Sequence, residues 1–473
     1  MWGTAHYVAV RPVRDAEPVG RFECFTADLH RMVDGLQSCG VKTVAMQSTG
    51  VYWIPLYEIL EARGFEVHRV NARHTKNLPG RKSDVQESQW WLKLHTYGLL
   101  NNSFQPVPEI RVLRSYWRQR AEHVRGAATC IQRMQKALTQ MNAQLANVIS
   151  DISGLTGPAI VRAIEAGERD TQKLAALSHP RIQGRQEKIA QSLEGNWRPE
   201  LVFVVQQEVE VYDTYQKGDQ QLQKQLASLM SLTPPGVGQT QKPKSQPPAA
   251  KNALRFDLSS ELQRVTGVDL TCIDGIDVMV AQTLLSEVGL DMSRWKTASH
   301  FASWLGLCPD NRVSGDKVVG RGTRRVVNRV ATELRQAANT LIRNRSYLGA
   351  QYRRFRTKLG APKAIPAMAH RLSRLVYRML KYSQVTSAKR LSTTKNDSVN
   401  SKSTYSGNGQ RNLDFSLRKF MPESRFLERG DEFNESWKQN RSNDLGVAAS
   451  RMRIPVLGED CERRRRRQDH RNG

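Results

Sequence analysis

The chain lacks the long apolar segments and paired cysteines that mark membrane-spanning and disulfide-stabilised proteins. No apolar run reaches about 18 residues, the length that a membrane-spanning helix requires. Six cysteines are scattered without CxxC pairs or histidines at ligand spacing, which indicates neither a zinc site nor a disulfide framework. The opening residues also lack the charged and apolar regions of a signal peptide. We therefore expect a cytoplasmic protein that does not associate with membranes.

Acidic residues are scarce relative to basic ones. The 473 residues include 72 lysines and arginines against 45 aspartates and glutamates, a formal net charge of +27. Such a surplus is typical of proteins that bind a polyanion, because neutralising phosphates releases their condensed counterions. On charge alone, an RNA-associated basic protein is as good an interpretation as a DNA-binding protein.

Short β-rich segments alternate with helical patterns in the first hundred residues. The predicted strands are His6–Val10, Arg21–Phe25, Val41–Met46 and Phe65–Val70. Helices are predicted over Ile54–Arg63 and Asp84–Tyr97, each followed by a glycine. This alternation predicts an α/β domain over residues 1–106.

A seven-residue apolar repeat dominates the middle of the chain. Its first apolar position holds Ile110, Trp117, Val124, Ile131, Leu138 and Leu145. Its second holds Leu113, Ala127, Met134, Met141 and Val148, with Arg120 as the exception. The repeat predicts a long coiled-coil helix within residues 107–232, and a weaker pattern from Leu201 to Leu232 predicts a returning helix. Two pairings stay open, a hairpin within one chain and a seam between two copies of a homo-oligomer.

Composition divides the remainder into three parts. Residues 233–253 are rich in Pro, Gly, Gln and Lys, which predicts a flexible linker. Residues 254–384 are basic and helix-rich, which predicts a mainly α-helical C-terminal domain. Residues 385–473 have few apolar positions and end near five consecutive arginines, so we expect a basic, disordered tail.

The first candidate site surrounds the start of the helix predicted from Asp84. Asp84 and Glu87 are three residues apart and project from one face, so both carboxylates can reach one hard cation. Ser83 is a candidate helix cap, and Arg81 and Lys82 suit a phosphate backbone. A solvated helix face is the simpler alternative for such a pair.

A polar residue follows the strand predicted over Val41–Met46. This residue, Gln47, is placed at the carboxyl end of a sheet strand, where α/β folds usually bind ligands. Its position strengthens the case for a site formed with the Asp84 helix.

The second candidate site is a Ser-Gly pair, Ser314-Gly315, in a segment rich in cations. A serine in such a loop could attack a phosphodiester, with arginines stabilising the charge that develops on phosphorus. The candidate nucleic-acid-binding residues here are Arg312, Lys317, Arg321, Arg324, Arg325 and Arg329. A simple turn is the common alternative for a Ser-Gly pair.

A glycine turn precedes an apolar helix in the C-terminal domain. Residues 273–277 contain Gly275 and lead into a helix predicted over Val278–Val288. Helix-hairpin-helix modules use such turns to present backbone N–H groups to phosphate. A packing corner between two helices is an equal alternative.

Four segments resemble the DEDD transposases of bacterial insertion sequences, the "one-ten" family. They are MQSTGVYWIPLYEILEARGFEV, VNARHTKNLPGRKSDVQESQWWLKLHTYGLL, IDGIDVMVAQTLLSEVG and FASWLGLCPDNRVSGDKV. The resemblance spans roughly residues 6–382. It implies a ribonuclease-H-like (RuvC-like) N-terminal domain whose four acids hold Mg²⁺, and a C-terminal domain whose serine joins covalently to DNA. It also implies a structured guide RNA that selects donor and target DNA.

The family's site residues map onto this chain only in part. Asp84 matches the third acid and Ser314 the nucleophilic serine, while Glu87 occupies the place of a fourth, aspartate ligand. Gln47 occupies the place of a glutamate, and Asp316 that of a glycine. The first acid has no counterpart, so we expect a copy truncated at its N-terminus and altered beyond residue 383. The resemblance predicts a transposase, with an inactive DNA- or RNA-binding remnant as the alternative.

Overall fold

Two strand pairs and three helices form the N-terminal part of the chain. The computed structural model describes residues 4–48, 50–71, 83–236, 254–309, 312–315, 317–320 and 328–382. The N-terminal strands are β1 (Ala5–Ala9), β2 (Val19–Glu23), β3 (Thr43–Gln47) and β4 (Glu66–Val70). The N-terminal helices are α1 (Thr26–Ser38), α2 (Ile54–Ala62) and α3 (Asp84–Thr96). The predicted alternation of strands and helices is therefore present.

The four strands form two separate ribbons. β1 pairs with β2 in antiparallel register, and β3 pairs with β4 in parallel register. α1, which the strand-by-strand prediction above omitted, fills the space beneath them. It buries Leu29, Met32, Val33 and Leu36, a helical spacing that faces Met46, Leu56 and Leu60 in one apolar cluster.

The middle of the chain is a helical hairpin formed within one chain. Its arms are α4 (Pro108–Gln140) and α9 (Pro199–Leu232). Arg120 Nε lies 3.1 Å from Asp219 Oδ1, and Arg133 Nη1 lies 3.1 Å from Glu208 Oε1. Because the partner numbers fall along α9 as they rise along α4, the arms are antiparallel. Pairing between two copies through this region stays a prediction.

The long helix is shorter than the apolar repeat predicts. α4 ends at Gln140, and Asn142 adopts a left-handed backbone conformation with φ 59°. The last repeat positions, Leu145 and Val148, lie in the separate short helix α5 (Leu145–Val148). The helices that follow are α6 (Thr156–Glu165), α7 (Thr171–Ala176) and α8 (Gln186–Ser192). Together with Val205 and Val209 of α9, they bury Met141 and Leu145 in one apolar cluster.

The C-terminal domain is a helical assembly with one small β-hairpin. Its helices are α10 (Leu258–Thr266), α11 (Val278–Val288), α12 (Ala298–Trp304), α13 (Arg329–Thr340), α14 (Tyr347–Leu359) and α15 (Ala361–Tyr382). The hairpin strands are β5 (Arg312–Ser314) and β6 (Lys317–Gly320). The central α11 is almost completely buried, and its buried residues include the polar Gln282, Thr283, Ser286 and Glu287 as well as its apolar ones.

The glycine turn before α11 is a site of close packing. Gly275 has φ +89°, and a Cβ there would lie 2.8 Å from the backbone oxygen of Ala337. The flanking Ile273 and Ile276 are buried. These contacts agree with the packing-corner alternative and leave little room for a phosphate on the α13 side of the turn.

The open ends of the hairpin belong to the C-terminal core. Ile110, Leu113 and Trp117 of α4 share one apolar cluster with Leu226 and Met230 of α9 and with the C-terminal helices. The Trp117 indole N–H donates to Thr283 Oγ1 at 3.0 Å. The base of the helical hairpin is therefore part of the C-terminal domain, and separating the two would expose that apolar core to water.

The N-terminal part of the chain also contacts α4 and the C-terminal domain. Phe104 packs against Trp295 and Trp304, with ring centroids 5.1 Å and 5.3 Å away. Arg111 of α4 donates to Glu61 of α2 at 2.6 Å.

Within the part of the chain that the structure describes, no helix combines the length and apolar character needed to cross a bilayer. The predicted tail and most of the predicted linker lie outside the described residues.

Removing Asp219 should destabilise the hairpin strongly. Arg120 is 3 % exposed, and burial lowers its pKa while Asp219 opposes that shift. Asp219→Ala leaves a buried guanidinium without its carboxylate, so the opening free energy of α4 and α9 should fall by about 3 kcal/mol or more. Native-state hydrogen exchange of the backbone amides of α4 and α9 measures this opening free energy. The control is Arg133→Ala, whose side chain is 62 % exposed and should cost less than about 1 kcal/mol. Equal losses in both variants would contradict this account.

Candidate active site

The N-terminus of α3 presents two carboxylates. Ser83 Oγ accepts from the backbone N–H of Gln86 at 3.3 Å, which confirms the predicted cap and fixes where the helix begins. Asp84 is the first residue of α3, and Glu87 follows one turn later. The Trp91 indole N–H donates to Glu87 Oε1 at 3.3 Å and limits where that carboxylate can move.

A cleft of about 690 Å³ lies between the two strand ribbons. β1 and β3 both line it, and neither is hydrogen-bonded to the other in the described sheets. Gln47, at the end of β3, and both carboxylates of α3 also line it. The structure thus places Gln47, Asp84 and Glu87 in the lining of one cleft.

The donor set of the cleft suits a hard cation held jointly with a substrate. Two carboxylates and one amide oxygen are oxygen ligands of the kind that Mg²⁺ prefers, and Mg²⁺ is often held by one or two carboxylates plus substrate phosphates. Among the described residues, no group of three or more Asp, Glu, His or Cys side chains is arranged to hold a metal. Phosphate oxygens or water would therefore complete the coordination sphere.

Three histidines line the same cleft, and the sequence prediction did not include them. His6 on β1 is 5 % exposed, and burial lowers its pKa below the usual 6.5. Burial also lowers the pKa of His95, with a further contribution from nearby His68. His95 Nε2 lies 3.0 Å from Thr43 Oγ1. These shifts favour the neutral form, so His6 and His95 add little positive charge to the cleft at neutral pH.

Ser314 is the last residue of β5, in a tight hairpin. The predicted loop is thus a strand end: Ser314 pairs with Lys317 across a two-residue turn, and Gly315 has φ +53°. Ser314, Gly315 and Lys317 are all exposed. A glycine tolerates this backbone conformation without strain, so the turn can hold the serine hydroxyl at an open surface.

Only some of the predicted basic residues lie within the described part of the chain. Lys317 is exposed on β6, and Arg329 begins α13, where its guanidinium lies 3.8 Å from Glu122 of α4. Arg312 contributes backbone to β5. The remaining predicted contacts lie outside the described residues: Arg81, Lys82, Arg321, Arg324 and Arg325.

Two regions of the chain match known protein families. Residues 4–143 match the DEDD transposase family of IS110, which is described as a transposase. Residues 269–353 match the family described as "Transposase IS116/IS110/IS902 family". No curated protein matches the chain.

The first match contains Gln47, Asp84 and Glu87, and the second contains Ser314. The DEDD family implies a ribonuclease-H-like N-terminal domain, dependence on a divalent cation, and DNA as a partner. Two independent matches in the expected order, on the two regions that hold the candidate residues, make the assignment specific. The chain belongs to the IS110 family of DEDD transposases, the enzymes of insertion sequences that recombine DNA.

Proposed function

We propose that this transposase cuts and rejoins DNA with Ser314 as its nucleophile and with a divalent cation held at Asp84 and Glu87. The observation that carries the proposal is the convergence of Asp84, Glu87 and Gln47 on one cleft in the region of the DEDD match. The exposure of Ser314 on a tight hairpin in the region of the second match supports its role.

The serine chemistry is a transesterification. Ser314 Oγ attacks phosphorus, an Oγ–P bond forms, and one bridging P–O bond of the DNA backbone breaks. The hydroxyl proton passes to solvent or a nearby base, and the departing deoxyribose oxygen takes up a proton. Rejoining reverses these steps when a DNA hydroxyl attacks the phosphoserine linkage and releases Ser314. Lys317 and the arginines near the hairpin would stabilise the charge on the phosphoryl oxygens.

The carboxylates of α3 are the proposed ligands of Mg²⁺, which would supply Lewis-acid stabilisation of a phosphoryl oxygen when bound. Arg81 and Lys82 directly precede Ser83, so they are positioned in sequence to bind the DNA backbone beside that cation. We place the cleft and the serine on the same phosphodiester in the active assembly. The net charge of +27 also supports a structured guide RNA as a second polyanion partner.

One observation favours a second candidate, a transposase-derived protein that binds DNA or RNA without cutting it. Gln47 is a neutral amide where the family places a glutamate, and a cation in the cleft would lose one full negative charge of coordination. The basic C-terminal domain would retain nucleic-acid binding in that case.

Replacing Ser314 should abolish a covalent protein–DNA adduct. Purified protein is mixed with an insertion-sequence end, the element's RNA and Mg²⁺, and the adduct is measured on denaturing gels. Ser314→Ala removes the attacking oxygen, so the adduct should fall below detection. Ser259→Ala in α10 of the same domain is the control and should leave the yield unchanged. If neither the parent nor either variant forms an adduct while all three still bind DNA, the noncatalytic candidate is correct.

Restoring a carboxylate at residue 47 should strengthen cation binding. Gln47→Glu adds a negative charge at the end of β3, in the cleft that Asp84 and Glu87 also line, so Mn²⁺ affinity measured by calorimetry should rise on the order of tenfold. Gln89→Glu makes the same charge change on an exposed position of α3 that does not line the cleft. An equal gain in both variants would show that general acidity, and not the cleft, attracts the cation.

A further inference from the structure

A row of cationic side chains follows one face of α15. At 100° per residue, these positions fall within an arc of about 100°. We call them the α15 stripe: Lys363, Arg371, Arg374, Arg378 and Lys381. Glu333 is the last acidic residue before α15 ends, so the 49 residues from 334 to 382 contain no carboxylate side chain. The local charge is therefore uniformly positive.

Packing fixes the direction in which the stripe points. The opposite face of α15 buries Met368, Leu372 and Val376, and the helix packs against α12, α13 and α14. Arg378 is exposed, and Arg371 and Arg374 are half-buried. Because the buried face cannot rotate outward without opening the core, the stripe is held at the surface.

The arginines of the stripe lie within electrostatic reach of one another. Burial lowers the pKa of Arg374, and the charges of Arg378 and Arg371 lower it further. Among the carboxylates in the described ranges, none lies within ion-pair distance of Arg371 or Arg378. A polyanion laid along α15 would relieve this repulsion.

The stripe lies close to the base of the Ser314 hairpin. α12 packs on α15, and the chain leaves α12 through the buried Leu305 and Leu307 to reach Cys308. Cys308 lies near enough to Arg374, at the centre of the stripe, to oppose the lowering of the pKa of that arginine, and β5 begins four residues later. From Lys363 to Lys381 the helix rises about 27 Å, which matches roughly eight base pairs of duplex DNA.

We propose that the α15 stripe binds the phosphodiester backbone of the DNA duplex that is delivered to Ser314. This proposal rests on the proposed function, because it assumes that Ser314 acts on DNA. The binding itself is separate from the chemistry: arginines at positions 371, 374 and 378 would each contact a phosphate and hold the duplex beside the hairpin. None of these residues belongs to the basic cluster predicted around residues 312–329.

The test compares two triple variants of the full chain that lose the same charge. One is Arg371→Gln/Arg374→Gln/Arg378→Gln on the stripe. The other is Arg354→Gln/Arg356→Gln/Lys358→Gln, on exposed positions of α14. Fluorescence anisotropy measures binding of a labelled 30-base-pair DNA duplex, and of an RNA duplex of the same length, across a salt series. Thermal unfolding checks that both variants are folded.

We expect the stripe variant to lose DNA affinity by on the order of tenfold or more, and its salt slope to fall by about 2 to 3. The α14 variant should stay within about twofold of the parent. Equal losses in both variants, or a loss confined to RNA, would overturn the proposal. Repeating the series with Ser314→Ala separates the two claims, since the stripe dependence should persist there even if serine chemistry proves wrong.

Discussion

Glu287 of α11 fixes how the long helix α4 sits on the C-terminal domain. Its carboxylate accepts two hydrogen bonds from Arg118, at 2.8 Å and 2.7 Å, and lies 3.3 Å from Arg114 Nε. Burial lowers the pKa of Arg114 to about 10 even though Glu287 opposes that shift. Without Glu287, the half-buried Arg114 would lose the carboxylate that offsets the cost of burying its charge, so this acid fixes the polar part of an interface that the apolar cluster around Trp117 also holds.

α4 also contacts the N-terminal part of the chain. Toward the N-terminus, Arg111 of α4 binds Glu61 of α2, and Arg69 of β4 donates to the carbonyl oxygen of Phe104 at 3.1 Å, four residues before α4 begins. These bonds connect α2 and β4 to α4 and to the segment that leads into it. Toward the C-terminus, α11 contacts both α4 and α13. The two halves of the proposed active site are therefore carried on one support, although the residues that do the chemistry are more than 200 positions apart in sequence.

Local chemistry made much of the candidate site predictable. The Ser83 cap, the spacing of Asp84 and Glu87, and the strand that ends at Gln47 all depend on residues within a turn or two of each other. Features set by distant packing were missed. The end of α4 near Asn142 depends on the cluster formed by α5 to α8, and the burial of His6 and His95 in the cleft depends on how β1 and α3 come together. The family resemblance, in contrast, was carried by contiguous motifs and was confirmed by both matches.

In the proposed mechanism, the cleft that holds Asp84 and Glu87 acts on the same phosphodiester as Ser314. A single phosphorothioate at the phosphate that Ser314 attacks tests it directly, because sulfur binds Mg²⁺ poorly and thiophilic ions such as Mn²⁺ better. We predict that adduct formation on this substrate is lost in Mg²⁺ and restored in Mn²⁺, and that Asp84→Asn removes the rescue. Adduct formation that is indifferent to the sulfur in both metals would contradict the claim.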